Sequence, residues 1–172
     1  MFAWLANLLW SCGLLLLPAI VWNAALARRL PPALQPEVFD RVAPTSLNAV
    51  EHVSRLAVFL LPFAMPLDPA DPVARGGLAL WAAGTAIYFA AWLALIAAPG
   101  SPWARSRFGM LAPAYTPALW LAGVALAGAR LFGVEGWRGW MYLVPSSVFL
   151  AAHLARAERA FRQFRAPTSA RS

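Results

Sequence analysis

The chain has 172 residues, of which 61% are hydrophobic and only 12% are charged. A soluble domain carries about 25% charged residues, so this composition excludes a water-soluble globular fold. The net charge of +7 is accounted for by positive cytoplasmic loops, which are normal in a membrane protein, and we expect no nucleic-acid partner. The single cysteine, Cys12, excludes an intrachain disulfide and a cysteine-based metal cluster.

Five long apolar stretches divide the chain, and each is long enough to cross a bilayer as a helix. They lie at residues 2–27, 47–67, 77–98, 110–132 and 137–155. The sequence therefore predicts one all-α membrane domain over residues 1–172, a polytopic bundle of five transmembrane helices. Residues 156–172 are predicted to form an Arg-rich cytoplasmic tail.

The arginines determine the predicted orientation of this bundle. Threading the five stretches in order leaves Arg75, Arg130 and Arg138 on one side and eleven arginines on the other. These eleven are Arg28, Arg29, Arg41, Arg55, Arg105, Arg107, Arg156, Arg159, Arg162, Arg165 and Arg171. Because short cytoplasmic loops carry the positive charge, the N-terminus is predicted outside and the C-terminus inside. The absence of lysine and the abundance of alanine, leucine, arginine and proline indicate a bacterial protein of the inner membrane.

The first span begins almost at Met1, without the Lys or Arg that opens a secretory signal peptide, so we expect it to remain as a helix. Residues 30–45 contain four prolines and predict a cytoplasmic loop with one short interfacial turn at 36–42. Pro62 is expected to kink the second span. The third span is predicted to stop at the Pro- and Gly-containing turn 99–102.

The fourth span combines prolines at its start with small residues at its centre. Pro113 and Pro117 fall in its first two turns, and Gly123 and Ala127 follow at a helical spacing of four. Small residues let two helix backbones approach closely in lipid. This face is therefore predicted to pack on a helix of the same chain, with a second copy as the alternative.

Polar residues inside apolar spans are costly and indicate function more often than they do in soluble proteins. Asn48, Glu51, His52 and Arg55 form one stripe over the first turns of the second span. Glu51 and Arg55 stand at i and i+4, the favourable order for a helical ion pair. The simpler interpretation of this pair is an interfacial salt bridge that anchors the helix.

Threading brings further polar side chains to the same depth. Asn23 at the end of the first span, Tyr115 and Thr116 in the fourth and His153 in the fifth all reach the cytoplasmic side of the bundle. We therefore expect a polar chamber that opens toward the cytosol. Considered singly, His153 is also explained as a polar residue near a helix C-terminus.

A resemblance follows from residues on four spans, namely Glu51-x-x-x-Arg55, Tyr88-x-x-x-Trp92, Pro117 before an apolar Gly-containing run, and His153. In this pattern the chain resembles small multi-spanning bacterial inner-membrane proteins over residues 47–155. The resemblance implies that these positions belong to one shared site, and it brings no activity with it. Tyr88, near the middle of the membrane, should also find a hydrogen-bond partner.

The favoured function is a non-enzymatic binding or accessory protein that holds a small amphiphile, a lipid or a partner subunit. No paired-carboxylate or His-Glu-x-x-His spacing occurs, so we predict no catalytic residue, no metal and no resident cofactor. The expected partners are the lipid bilayer and either a second copy of the chain or another membrane subunit. The predicted binding residues are Asn48, Glu51, His52, Arg55, Tyr88, Tyr115 and His153.

Two alternatives remain open from the sequence. In a small transporter, Glu51 with His52 or His153 would exchange protons or bind an ion, and a dimer would be needed because five spans give no equal inverted halves. In a haem-b protein, His52 and His153 would be the axial ligands from two helices.

Overall fold

The computed structural model of the chain describes residues 10–165. Across these residues the fold is helical, with no β-strand. The first part of the predicted span 2–27 and the last part of the predicted tail 156–172 lie outside the described residues. Four segments are long and apolar enough to cross a membrane, and these are Cys12–Arg29, Thr45–Ala64, Pro72–Ala97 and Arg107–Ala127.

Eight α-helices occupy the described part of the chain. They are α1 (Leu17–Leu26), α2 (Pro36–Val42), α3 (Thr45–Leu60), α4 (Pro72–Ala97), α5 (Pro102–Arg105), α6 (Arg107–Tyr115), α7 (Pro117–Ala127) and α8 (Leu143–Arg165). Turns of 3-10 helix at Cys12–Leu16 and Ala27–Arg29 flank α1, and Leu61–Ala64 extends α3. Two further 3-10 turns, Pro32–Leu34 and Gly139–Tyr142, precede α2 and α8.

The four long segments overlap the first four predicted spans, as expected for a membrane protein. The short turn predicted at 36–42 is confirmed as α2. The fourth span was predicted to run to residue 132 but ends at Ala127. Gly128 follows it as the C-cap, and the amide of Phe132 donates to the carbonyl of Ala64 at 2.9 Å instead of continuing the helix.

The region of the predicted fifth span, 137–155, differs from the other four. Its α-helix starts only at Leu143 and continues to Arg165 as one element. Among the described residues it does not reach the apolar character of the other four segments. The reason is its composition, since Ser146, Ser147 and His153 interrupt the apolar residues and Arg156 follows.

Pro62 changes the course of α3, and a tyrosine from the other end of the chain compensates for the change. Because proline has no N–H, the carbonyl of Val58, four residues earlier, loses its helical donor. The buried hydroxyl of Tyr142 donates to this carbonyl at 2.9 Å. At Pro62 the α-helix becomes a 3-10 turn. The predicted kink is thus a change of helix type that also joins α3 to the start of α8.

The closest helix pair, α4 with α7, is built on glycine. A Cβ atom on Gly77 would lie 2.6 Å from the backbone nitrogen of Ala127, and one on Gly84 would lie 2.6 Å from that of Trp120. Gly123 on α7 lies against the backbone of Trp81 in the same way. The small face of the fourth span therefore packs within the chain, as predicted, because only residues without a Cβ allow this approach.

Helix α1, with the 3-10 turn before it, and helix α8 pack around this pair. The ring of Trp22 on α1 stacks on Phe89 of α4 at a centroid distance of 4.0 Å. The indole N–H of Trp81 donates to the carbonyl of Leu15 at 2.8 Å. Helix α8 packs along α3 and also contacts α6 and α7. The result is a bundle in which α1, α2, α3, α4, α6, α7 and α8 all contribute residues to the wall of one cavity.

Candidate functional site

One buried carboxylate gathers charged groups from two helices. Glu51 on α3 has a side chain that is 0% exposed, and it accepts hydrogen bonds from Arg55 and from Arg156 of α8. Nδ1 of His153 lies 3.1 Å from the same carboxylate. A buried charge is tolerated only when it is paired and hydrogen-bonded, and these three groups satisfy that requirement for Glu51.

The ion-pair network continues to a third helix through Arg156. The other terminal nitrogen of Arg156 lies 2.6 Å from Oδ1 of Asp40 on α2. The side chain of Arg156 is 3% exposed, whereas that of Asp40 is 64% exposed. Arg156 therefore bridges a buried anion and a solvent-accessible one.

An aromatic ring supports the cations of this network. Phe149, one turn before His153 on α8, stacks on the imidazole at 5.5 Å and 16° between ring planes. The guanidinium of Arg55 lies 5.7 Å from the centre of the Phe149 ring, a distance at which cation–π attraction operates. Arg55 is 42% exposed, so it is less enclosed than Arg156.

This network forms one end of a cavity of about 430 Å³ inside the bundle. The charged or titratable residues in its wall are Asp40, His52, Arg55, His153 and Arg156. The rest of the wall is mainly apolar and aromatic, with Ile20, Leu30, Phe59, Tyr88, Trp92, Met110, Pro117, Trp120 and Phe149 among its residues. A site of this size with a polar end and an apolar body suits a molecule with the same two parts.

Two aromatic residues of the cavity wall, Tyr88 and Trp120, also carry polar groups. The hydroxyl of Tyr88 donates to Oδ1 of Asn23 at 2.9 Å, which confirms the expected partner for that tyrosine. The amide of Asn23 in turn donates to the carbonyl of Ala19. The indole N–H of Trp120 is buried and has no acceptor among the described residues. Trp120 therefore belongs to the cavity wall, although its N–H group is enclosed by the described part of the protein.

The structure separates the predicted binding residues into three groups. Arg55, Tyr88, His52 and His153 line the cavity. Glu51 is not in the wall, but its carboxylate contacts three residues that are, namely Arg55, His153 and Arg156. Asn48 and Tyr115 lie outside the cavity.

The two residues outside the cavity have local partners. The side-chain amide of Asn48 donates to the backbone carbonyl of Asp40 at 3.2 Å, and the backbone carbonyl of Asn48 lies 2.6 Å from Nδ1 of His52. The hydroxyl of Tyr115 donates to the carbonyl of Phe108 at 3.3 Å, and the two rings lie 5.2 Å apart. Asn48 thus ties α2 to α3, and Tyr115 packs on its own helix.

Three residues of the site were not predicted from the sequence. Arg156 was assigned to the cytoplasmic tail and Asp40 to a loop, although Arg156 stands three residues after His153 and therefore shares its helix face. Trp120 carries no local pattern that distinguishes it from the other tryptophans. The spacing of His153 and Arg156 is the one signal that would have found part of this group.

Comparison with known proteins adds no assignment to this geometry. The chain matches no protein-family model, no curated protein and no solved structure.

Proposed function

We propose that this chain is an integral protein of the bacterial inner membrane with five spans, N-terminus outside and C-terminus inside. In this proposal it is a binding protein that holds one amphiphile in the 430 Å³ cavity. The apolar part of the ligand lies among the aromatic residues, and its polar head lies at the arginines and histidines near the cytosol. The observation that carries the proposal is the division of one cavity wall into these two parts.

The fifth span is supported by the direction in which α8 runs beside α3. Tyr142, just before α8, contacts Val58 late in α3, and Arg156, late in α8, contacts Glu51 early in α3. The two helices are therefore antiparallel, and the part of α3 between the two contacts, Glu51 to Val58, spans about 10 Å at the helical rise. Helix α8 has 23 residues and is about 34 Å long, which is enough to cross the apolar part of the membrane beside α3.

The charges in the cavity wall favour a binding role over chemistry. Glu51 is enclosed by three donors and lies outside the wall, so it is not placed to attack a ligand or to take a proton from it. The wall instead contains the guanidinium groups of Arg55 and Arg156 and the imidazoles of His52 and His153. Such a surface holds hydrogen-bond acceptors by position and charge.

The proposal is tested by filling the cavity. Ala114 lies in the wall, is 3% exposed and also borders a smaller pocket, and we expect the ring introduced by Ala114→Phe to fill part of the cavity. Ala86 is exposed on α4, which makes Ala86→Phe a matched control with the same added volume. The probes are an ω-brominated fatty acid and the corresponding ω-brominated alcohol, because bromine quenches tryptophan fluorescence on contact and Trp92 and Trp120 line the cavity.

We expect saturable quenching by at least one probe in the wild-type chain and in Ala86→Phe, in lipid nanodiscs. Ala114→Phe should retain only the linear quenching that comes from probe dissolved in the bilayer. Identical curves for the two variants would show that the cavity does not take up an amphiphile, and the proposed function would then be wrong.

Haem binding is a second candidate, supported by the single observation that His52 and His153 line the same cavity. His153 contacts a carboxylate through Nδ1, which is a common arrangement for a metal-bound imidazole. A Soret band in protein purified from cells supplied with haem, absent from His153→Ala, would support this candidate. A colourless wild-type preparation would remove it.

A further inference from the structure

We propose that the ligand carries an anionic head, and that Asp40 occupies the place of this head on Arg156 when the cavity is empty. This inference rests on the proposed function, because it names the class of amphiphile that the cavity takes. The head is a carboxylate or a phosphate monoester, two groups that a guanidinium binds through the same pairs of N–H donors.

The first support is the balance of charge at the polar end. Arg55 and Arg156 bring two positive charges, and the enclosed Glu51 cancels one of them. His52 and His153 are the other titratable groups in this part of the wall, and neither adds a negative charge. Without Asp40 the network therefore keeps one positive charge, which an anion entering the cavity would neutralise.

The second support is the unequal exposure of the two anions. The side chain of Glu51 is 0% exposed and that of Arg156 is 3% exposed. If Glu51 left the network, the charge of Arg156 would remain buried without its main partner, which is costly. Asp40 is 64% exposed, so its carboxylate is hydrated by water if it separates from Arg156. If a ligand carboxylate takes the place of Asp40, the guanidinium of Arg156 therefore keeps an anionic hydrogen-bond acceptor.

The third support is the position of Asp40 itself. It lies in the cavity wall on α2, a seven-residue helix between two proline-containing turns. This helix packs on α8, the helix that carries Arg156. Asp40 therefore stands where the cavity meets the polar surface, and a ligand whose apolar body lies among Tyr88, Trp92 and Trp120 would bring its head to this point.

The test removes the charge of Asp40 while keeping its shape. In Asp40→Asn the internal competitor is lost, and we expect the affinity for the ω-brominated fatty acid to rise about ten-fold, as for one charge-assisted contact regained. The affinity for the brominated alcohol should stay the same. Glu37→Gln is the matched control, because Glu37 is an exposed acid on the same helix that does not line the cavity.

Several outcomes would overturn the inference. A fatty-acid affinity that is unchanged or reduced in Asp40→Asn would show that Asp40 does not compete with the ligand. If the alcohol binds the wild-type chain as tightly as the acid does, the anionic head is wrong while the proposed function stands. If neither probe saturates the wild-type chain, both the proposed function and this inference fall.

The wild-type comparison of acid with alcohol needs no variant, so it tests the anionic head even if Asp40→Asn does not fold. A brominated alkyl phosphate distinguishes the two anionic heads. Tighter binding of the phosphate than of the carboxylate assigns a phospholipid-like ligand, and the reverse order assigns a fatty acid.

Discussion

At the scale of single residues, Glu51 is the side chain on which the polar end of the bundle depends. Its carboxylate is removed from water and is stabilised only by the donors around it, two of which come from α8. Breaking a buried ion pair by removing one partner is costly because the other charge remains buried. The two arginines differ here, since Arg156 is 3% exposed and Arg55 is 42% exposed.

The stability of the network can therefore be measured by comparing two arginine variants. We expect Arg156→Met to lower the free energy of unfolding by about 3 kcal/mol, the range for a broken buried pair. Arg55→Met should cost about 1 kcal/mol, since water can replace part of its interaction. The tryptophan fluorescence of the purified protein during heating reports both values. Equal losses, or a larger loss for Arg55→Met, would contradict this view of the network.

The sequence predicted part of the site because helical spacing shows which residues share a face. Their spacing predicted that Asn48, Glu51, His52 and Arg55 lie along one side of α3. It could not predict how α3 is rotated about its axis, and therefore which of these residues point into the bundle. Packing turns Glu51 fully inward and leaves His52 exposed, although the two are neighbours in the chain. Arg156 was missed because an arginine near a predicted membrane boundary is explained equally well as a cytoplasmic charge.

At the scale of helices, proline and glycine determine where the elements end and how closely they approach. Ser106, Thr116 and Gly128 stand at the boundaries of α6 and α7, and Pro117 begins the second of these helices. The sequence placed Pro113 and Pro117 in the first part of the fourth span, and they lie inside α6 and at the start of α7. It could not show that the fourth span ends at Ala127, because the apolar residues continue to Phe132 while Gly133 turns the chain with a φ of 74°.

The contact between α4 and α7 provides the sharpest test at this scale. Gly77→Ala adds a Cβ atom that would lie 2.6 Å from the backbone of Ala127, so the two helices must separate. Gly76→Ala is the matched control, since a Cβ atom there meets nothing within 4 Å. We expect Gly77→Ala to lower the free energy of unfolding by about 2 kcal/mol through the overpacking that it causes.

Gly76→Ala should leave the stability unchanged or raise it by up to about 1 kcal/mol, the difference in helix propensity between the two residues. Thermal unfolding in the same detergent measures both variants. If Gly77→Ala is as stable as Gly76→Ala, the backbones of α4 and α7 do not approach as closely at Gly77 as the distance of 2.6 Å requires.

An ion pair between the first residue of α6 and a residue beyond the predicted fifth span connects α6 with α8. The guanidinium of Arg107 donates to Glu158 at 2.8 Å, and Arg162, one turn later on α8, donates to the same carboxylate at 2.9 Å. These two arginines hold the pKa of Glu158 below its usual value. Both arginines are well exposed, so these ion pairs orient the two helix ends without adding much to stability.

At the scale of the whole molecule, the antiparallel course of α3 and α8 determines the topology. If α8 crosses the membrane beside α3, the residues before it and those at its end lie on opposite sides. The sequence predicted this span, although polar residues make α8 less apolar than the other long helices. Of these residues Ser146 is buried, His153 and Arg156 line the cavity, and Ser147 is exposed. Ser146 donates to the carbonyl of Tyr142.

The topology is tested by cysteine labelling in intact cells. Cys12 is fully buried, so the wild-type chain should not react with a membrane-impermeant maleimide. Glu135 and Gln163 are both exposed, before and near the end of α8. We expect Glu135→Cys to be labelled in intact cells and Gln163→Cys only after the membrane is permeabilised. Labelling of both variants in intact cells would place the two positions on one side and exclude the fifth span.

The central claim is that the cavity inside the bundle holds one amphiphile. Native mass spectrometry of the protein released from a mild detergent measures this directly. We predict that wild type and Ala86→Phe each carry one bound amphiphile from the cell membrane, and that Ala114→Phe carries none. Equal occupancy in Ala114→Phe, or no bound amphiphile in the wild-type chain, would contradict the claim.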